Sequence, residues 1–542
     1  MVSLEYKGKK LVQNLHIGVE YHQLVPDKKK SLTETISLED NLILHGDNLK
    51  ALKALLPNYA NKIKCIYIDP PYNTGNEGWK YNDNVNSPMM QEWLGKEVGT
   101  DDLTRHDKWL CMMTPRLKLL RELLTDDGVI FISIDDNEQH RLRMLMDEVF
   151  GDNFVSDLIW KGKSGAEDDA YYRTVHEYVL CFAKNKNYFD AGQREKTNEK
   201  FPKYDQVKKL FYKTQLARKW GSNSRREDRP NLYYSIPAPD GTQVFPKLSD
   251  GEDGCWRWSK NKMLSEIKMG NIEFLKDGNN WVCYEKIYKP TEEEGPSMKK
   301  FNTWLDDVGS TSTGTDEIKE IFGKPVFDHP KPTTLVKRLL VMANTKESDI
   351  ILDSFAGSGT TAHAVLDLNK EDGGNRKFIL VECEDYADSI TAERVRRVIN
   401  GVKVAKDEKL KQGLGGSFSF FELGDAIDLK GILSGKSLPS YQELARYVYY
   451  TATGEEFVEK RVDQKSSYIG ESRNYEVYLI YKPDLAFLKT EALNTKFAEG
   501  LGLFKGKRRL VFAPANFLDA SYLAKYSIDF CQLPYEIYRI KG

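Results

Sequence analysis

Between Asn41 and Phe150 short apolar runs alternate with amphipathic stretches, and that alternation constrains the fold more than any other feature of the chain. "NLILHGD" (41–47) reads as a strand ending in Gly-Asp. "NLKALKALLP" reads as an amphipathic helix stopped by Pro57, which has no N–H to continue the ladder. A second strand runs through "KCIYID", "HDKWLCMMTPRLKLLRELL" carries apolar residues at helical spacing, and "GVIFISID" (128–135) is again a strand, followed by a helix through Phe150. "DLIWKGK" and "EYVLCFAK" read as further strands. Strands separated by helical stretches predict an α/β fold on a parallel sheet.

The pattern breaks from about 195 to 325, where apolar runs shorten and Trp, Tyr, Asn, Gly and Pro become frequent, as in "RPNLYYSIPAPDG" and "GCWRWSK". This is the signature of a loop-rich insert. Alternation resumes with "HPKPTTLVKRLLVMA", "DIILDSFAGSGTTAHAVLDL", the strand "KFILVECE" and the helix "TAERVRRVI". From about 406 a further region begins, with strands such as "YEVYLIY" and "RRLVFAPA"; residues 1–40 are polar and mixed, as in a lead-in arm.

Two turns in this frame carry chemistry. In "KCIYIDPPYNTG" (Lys64 to Gly75) the strand stops at Asp69, because Pro70 and Pro71 cannot extend it. A carboxylate, a rigid Pro-Pro backbone and the Tyr72 ring are left at the carboxyl end of a strand, where open α/β sheets bind ligands. The next residues lead into a Gly/Asn-rich loop with Trp79 and Tyr81. In "IILDSFAGSGTTAHAV" Gly357 and Gly359 let the backbone turn tightly and approach a ligand. Read literally, Gly357-x-Gly359-x-x-Ala362 is a dinucleotide fingerprint, with Glu382 placed to take ribose hydroxyls, so an NAD or flavin enzyme is a competing reading. Asp353 argues the other way. It ends the strand where a pyrophosphate would sit, and a carboxylate there repels phosphate but suits the cationic sulfonium and ammonium of S-adenosylmethionine.

The Asp-Pro-Pro-Tyr turn breaks the tie. The exocyclic amine of a nucleobase is a poor nucleophile, since its lone pair is delocalised into the ring. Asp69 and the Pro70 carbonyl, each accepting one N–H, would hold such an amine and favour a pyramidal nitrogen, and Tyr72 offers a face on which an extruded base stacks. Positioning and charge stabilisation supply the acceleration, and neither a metal nor a covalent intermediate is needed.

The bulk numbers agree with such an enzyme without announcing it. The formal net charge is −2, yet residues 161–229 hold seventeen Lys/Arg against ten Asp/Glu, interleaved with Tyr171, Tyr172, Phe211, Tyr212 and Trp220. A local basic, aromatic-rich stretch is one form of nucleic-acid surface; a solvated lysine-rich face is the other reading. Seven scattered cysteines without a CxxC fit reduced thiols in a cytoplasm better than disulfides or zinc. No apolar run reaches membrane-spanning length, and "MVSLEYKGKK" lacks the apolar core of a signal peptide.

"DPPYNTG" and "DSFAGSGTT" resemble the catalytic motif and cofactor loop of the S-adenosylmethionine-dependent amino methyltransferases of DNA, in the adenine-N6 form. The order of the motifs, with the catalytic one first, is similar to the circularly permuted β-group. "GDNLKALKALL", "FISIDDNE", "VFGDNF", "RPNLYY", "WLDDVGSTSTGTDEIKEIFG" and "HPKPTTLVKRLL" narrow the resemblance to the modification subunits of type III restriction–modification systems, over most of 40–405. The resemblance implies a Rossmann-like, permuted methyltransferase sheet organised as an N-terminal arm (1–40), a catalytic half (41–194), a target-recognition insert (195–325), a cofactor-binding half (326–405) and a small C-terminal α/β domain (406–542). It implies that Asp69, Pro70, Pro71, Tyr72 and Asn73 hold the target adenine. Asp47, Lys331, Pro332, Thr333, Asp353, Phe355, Gly357, Ser358, Gly359 and Glu382 would hold S-adenosylmethionine. Within the basic stretch, Arg218, Lys219, Trp220, Arg225 and Arg226 are the candidate nucleic-acid contacts. The expected partners are double-stranded DNA with one flipped adenine, a second copy in a homodimer, and a restriction (helicase–nuclease) subunit, in the cytoplasm and without a membrane. Alternatives on the same residues are an N4-cytosine or RNA-base methyltransferase and a recognition subunit that guides a nuclease.

Overall fold

The computed structural model describes residues 3–75, 104–163, 172–196, 199–278, 280–291, 295–427, 438–455, 457–502 and 506–533. Trp79, Tyr81 and Tyr171 lie outside them. The chain divides into two compact units, one made of 1–192 with 301–542 and the other of 193–300.

The larger unit is built on a ten-stranded sheet. In chain order its strands are β1 (His22–Pro26), β2 (Leu42–His45), β3 (Ile63–Ile68), β4 (Leu124–Ile134), β5 (Phe154–Trp160), β6 (Glu177–Ala183), β7 (Trp304–Leu305), β8 (Ile350–Asp353), β9 (Lys377–Glu382) and β10 (Ser419–Ala426). Their spatial order is β1-β10-β2-β9-β8-β3-β4-β6-β5-β7. The centre, β10-β2-β9-β8-β3-β4, is parallel, and its inner strands β2, β9, β8 and β3 are largely apolar and buried along nearly their whole length. This is a mixed α/β sheet of the Rossmann-like kind. β8 and β3, far apart in sequence, are central neighbours, with Ile351 opposite Cys65 and Leu352 opposite Ile66. From this pair the chain winds outward in both directions, so the crevice at their carboxyl ends is the switch point at which such sheets bind ligands.

The alternation predicts a parallel sheet, but the observed sheet is mixed. β6 runs antiparallel to both β4 and β5, and β1 runs antiparallel to β10. A strand buried on both faces reads the same in either direction, so "EYVLCFAK" carries no sign of its orientation. Nor does Pro57 stop its helix, which runs Asn48–Tyr59. The ring sits in the last turn, and the Ala60 N–H still reaches the Leu56 carbonyl at 3.0 Å. Pro115 likewise lies inside the helix Arg105–Leu123.

Residues 301–325, grouped with the insert on sequence, belong to the larger unit: β7 joins the sheet edge in parallel with β5, and the helix Thr311–Phe322 follows it. The lead-in arm supplies β1. Beyond β10 the chain adds a helix, Tyr441–Thr453, and a four-stranded sheet of Tyr468–Glu471, Tyr475–Leu479, Arg508–Ala513 and Ile528–Gln532. That region shares its core with the main sheet, since Tyr447, Leu444 and Val448 pack in one cluster with Tyr21, Leu52 and Leu55.

The smaller unit has its own four-stranded sheet, ordered Ile272–Asp277, Asn280–Tyr288, Leu210–Leu216, Lys203–Asp205. Ala217, Ile236, Trp256 and Met263 form its core.

Candidate active site at the β3–β8 switch point

β3 ends at Ile68, and the next residue, Asp69, faces a lysine from the far half of the sequence. Lys331 Nζ lies 2.9 and 2.7 Å from the two Asp69 carboxylate oxygens. Burial raises the Asp69 pKa above the ordinary carboxyl value; Lys331 offsets part of that effect and Glu177 adds to it. Burial works to lower the Lys331 ammonium, but Asp69 and Glu177 together leave it raised. The lysine also lies 4.9 Å from the Tyr72 ring centre and 5.9 Å from that of Trp160.

The Tyr72 hydroxyl donates to Glu177 Oε2 at 2.9 Å. Pro71 is held by its carbonyl, which accepts from the Trp109 indole at 2.7 Å. Asn73 takes φ +60 and is fully buried, with its amide donating to Glu138 at 2.5 Å. Asn is among the side chains that tolerate this left-handed backbone. Glu138 also meets His106, and burial pushes its pKa up to about 7. The Asp-Pro-Pro-Tyr-Asn turn is thus anchored at several points and can reorient little.

The glycine loop follows β8. Asp353 is buried, accepts from the Thr361 hydroxyl at 2.5 Å and from the Phe355 N–H at 3.0 Å, and is pushed up to about 7 by burial, with Asp69 and Glu382 adding to the effect. Among the described residues it has no cationic partner in these bonds. Gly357 and Gly359 both have positive φ, +51 and +80. Glu382, at the end of β9, accepts from the Gly357 N–H at 2.7 Å and from the Cys383 and Glu384 N–H groups at 2.9 and 3.1 Å. Asp47, two residues beyond β2, caps the helix Asn48–Tyr59 by accepting from Lys50 N at 3.0 Å, and Arg116 stands 3.7 Å away. Three carboxylates therefore stand at the carboxyl ends of three adjacent parallel strands. A pocket of that sign suits a cationic ligand and disfavours a pyrophosphate.

The remaining cofactor candidates divide. Phe355 is half-buried against the core. Ser358 and Thr333 turn into a buried network centred on Arg394, whose guanidinium donates to Ser358 at 2.9 Å, Thr360 at 2.8 Å, Thr333 at 3.2 Å and Glu317 at 3.3 Å. Burial lowers Arg394 to about 10 and pushes its neighbour His363 well below the usual imidazole value. Pro332 caps the helix Thr333–Met342. Lys331 sends its side chain to Asp69, while its carbonyl accepts from Thr360 at 3.2 Å and so ties it to the glycine loop. Gly314 makes this approach possible: a Cβ there would come within 2.1 Å of the Pro330 carbonyl.

Sequence reading did not single out Glu177, Glu317, Arg394 or Gly314. Each acts through a partner distant in the chain, and none stands in a motif that announces that partner.

In the smaller unit Trp220 is 54% exposed, and Arg257 lies 5.7 Å from its ring centre. Arg225 pairs with Asp250 at 3.1 Å and Arg226 with Asp253 at 3.2 Å, whereas Arg218 donates to the Lys219 carbonyl at 3.2 Å.

The chain is 34% identical over 456 residues to the type III restriction-modification enzyme EcoPI Mod subunit of Escherichia phage P1, covering 76% of this chain and 70% of that protein. It is 35% identical to the StyLTI Mod subunit of Salmonella typhimurium, covering 69% of this chain and 59% of the relative. It is 35% identical to the type II methyltransferase M.KpnI of Klebsiella pneumoniae, covering 66% and 83%. These relatives displace the oxidoreductase reading of the glycine loop. Residues 63–393, which contain both turns, match the N6/N4 family model described as DNA methylase, and the chain belongs to that family.

Proposed function

We propose that the protein transfers a methyl group from S-adenosylmethionine to the N6 amine of adenine in double-stranded DNA, as the modification enzyme of a restriction–modification system. One observation carries the reading: the Asp69 turn and the glycine loop of Gly357 follow neighbouring central strands, so an amine-holding carboxylate and an acidic, glycine-lined pocket share one crevice.

The cofactor fits the residues that would hold it. Asp353, Glu382 and Asp47 would face its cationic and hydroxyl groups, and the loop of Phe355, Gly357, Ser358 and Gly359 would let it approach the backbone. When bound, it supplies an electrophilic methyl group. Asp69 and the Pro70 carbonyl accept the two N–H groups of the target amine and hold the nitrogen lone pair toward that methyl. Tyr72 stacks on the flipped base, with its hydroxyl fixed by Glu177, and Asn73 and Pro71 keep the turn in shape. Nothing in this chemistry calls for a metal.

Arg218, Lys219, Trp220, Arg225 and Arg226 contact DNA from the smaller unit, which serves target recognition. Two relatives are named as subunits of type III enzymes, which supports a restriction-subunit partner for this cytoplasmic enzyme, itself a homodimer. Incubating the protein with tritiated S-adenosylmethionine and unmethylated bacterial DNA tests the assignment. Label should enter DNA and be recovered as N6-methyladenine; recovery as N4-methylcytosine would move the target to cytosine.

A further inference from the structure

Both oxygens of Asp69 are engaged by one ammonium. An incoming amine competes with that ammonium for the Asp69 lone pairs, and it is held best when the Lys331 head draws back as the base arrives. Its backbone is in no position to move: Pro330 and Pro332 flank it, and Thr360 holds its carbonyl. Among the described residues the nearest other carboxylate is Glu177, with Oε2 at 3.9 Å, and Asp135 lies farther off within electrostatic range.

Glu177 opens β6 and is buried. Its Oε1 faces Lys163 at 3.1 Å and its Oε2 accepts from Tyr72. The Tyr72 and Trp160 rings border the lysine head, and Trp160 is itself pinned by its indole N–H to the Gly309 carbonyl at 2.9 Å. Aromatic faces attract a cation without taking its hydrogen bonds for good. An unpaired ammonium at a buried position is costly, whereas one exchanged between two carboxylates stays paired throughout.

We infer that Glu177 is a positioning residue that offers the Lys331 ammonium a second seat, so that Lys331 releases Asp69 to the target amine as the base enters. This rests on the assignment of Asp69 to that amine. The crevice thereby has two settings: Lys331 on Asp69 while no base is bound, and Lys331 on Glu177 when one is. Glu177 acts through Lys331 and Tyr72, and because it sets Tyr72 at the same time, the lysine moves over the ring on which the base stacks.

A double-mutant cycle on the full chain separates this role from simple anchoring of Tyr72. The assay uses tritiated S-adenosylmethionine and unmethylated bacterial genomic DNA, at the alkaline plateau of the Lys331→Met enzyme. Glu177→Gln keeps an oxygen for the Tyr72 hydroxyl but loses the charge. It should lower kcat about tenfold while changing the DNA KM and the cofactor affinity by less than about twofold. In the Lys331→Met background, where no ammonium needs a seat, the same change should alter kcat by less than about twofold. Equal losses in both backgrounds, or no loss in either, would overturn the inference. If Glu177→Gln fails to fold, seen as loss of the native circular dichroism spectrum, Glu177→Asp replaces it, and its loss in kcat must again vanish with Lys331→Met. Failure of the wild-type protein to label DNA would instead overturn the proposed function.

Discussion

The Gly357 N–H donates a 2.7 Å hydrogen bond to Glu382 Oε2, tying the glycine loop to the end of the neighbouring strand. The bond holds Gly357 at φ +51, where a side chain is strained, and a Cβ there would come 3.1 Å from the Phe327 ring.

Gly357→Val should therefore weaken S-adenosylmethionine binding by at least about tenfold, through local strain of a few kcal/mol, with the fold retained. Calorimetric titration checks the affinity and circular dichroism the fold. An unchanged affinity would take the loop out of the cofactor site.

Lys331 gives a prediction in pH. Asp69 must be ionised to accept the amine hydrogens. Burial raises its pKa, Lys331 lowers it, Glu177 raises it, and the Tyr72 hydroxyl lowers it. Tyr67 and Asp353 also lie within electrostatic range, and Lys163 stands on the far side of Glu177. Lys331→Met removes the main lowering influence, so the carboxyl stays protonated to higher pH. The acid limb of the kcat profile should move upward by about a unit or more, with activity partly recovered at alkaline pH. An acid limb in the wild-type position would show that Lys331 does not set the charge of Asp69.

Much of this was legible in the sequence, and the part that was not has a physical pattern. The Asp69 and Gly357 turns combine strand-forming residues with residues that end a strand, so their positions at strand ends could be read locally. Glu177, Arg394 and Glu317 are ordinary charged residues whose meaning lies in partners brought together by the sheet. Strand direction was hidden because β6 is buried on both faces. The boundary at Lys300 was blurred because the loop-rich composition of the insert continues into β7, whose two residues gain their identity only by pairing with β5.

Arg394→Leu should destabilise the larger unit by about 3–5 kcal/mol, the usual cost of leaving a buried partner unpaired. Glu317, Thr333, Ser358 and Thr360 all lose a donor. Arg394→Lys should rescue little, because an ammonium cannot reproduce the planar fork. Urea unfolding followed by near-ultraviolet signal measures the effect, and a loss below about 1 kcal/mol would mean that the network contributes little.

Arg225 and Arg226 are engaged by Asp250 and Asp253, while Arg218 bonds only to a neighbouring carbonyl among the described contacts. Replacing Arg218 and Lys219 by alanine should therefore weaken DNA binding and flatten its salt dependence more than replacing Arg225 and Arg226. Titration of DNA at two salt concentrations decides it. Wild-type affinity and slope in both variants would make the cluster a solvated surface, and a changed set of modified sequences would make it a base reader.

The most direct measurement is to express the chain in a host that lacks DNA methylation and map modified bases across the host genome. We expect N6-methyladenine at every copy of one short sequence, and its complete loss with Asp69→Ala, which should still bind S-adenosylmethionine. Unmodified DNA from the wild-type protein, or modification that survives Asp69→Ala, would contradict this expectation.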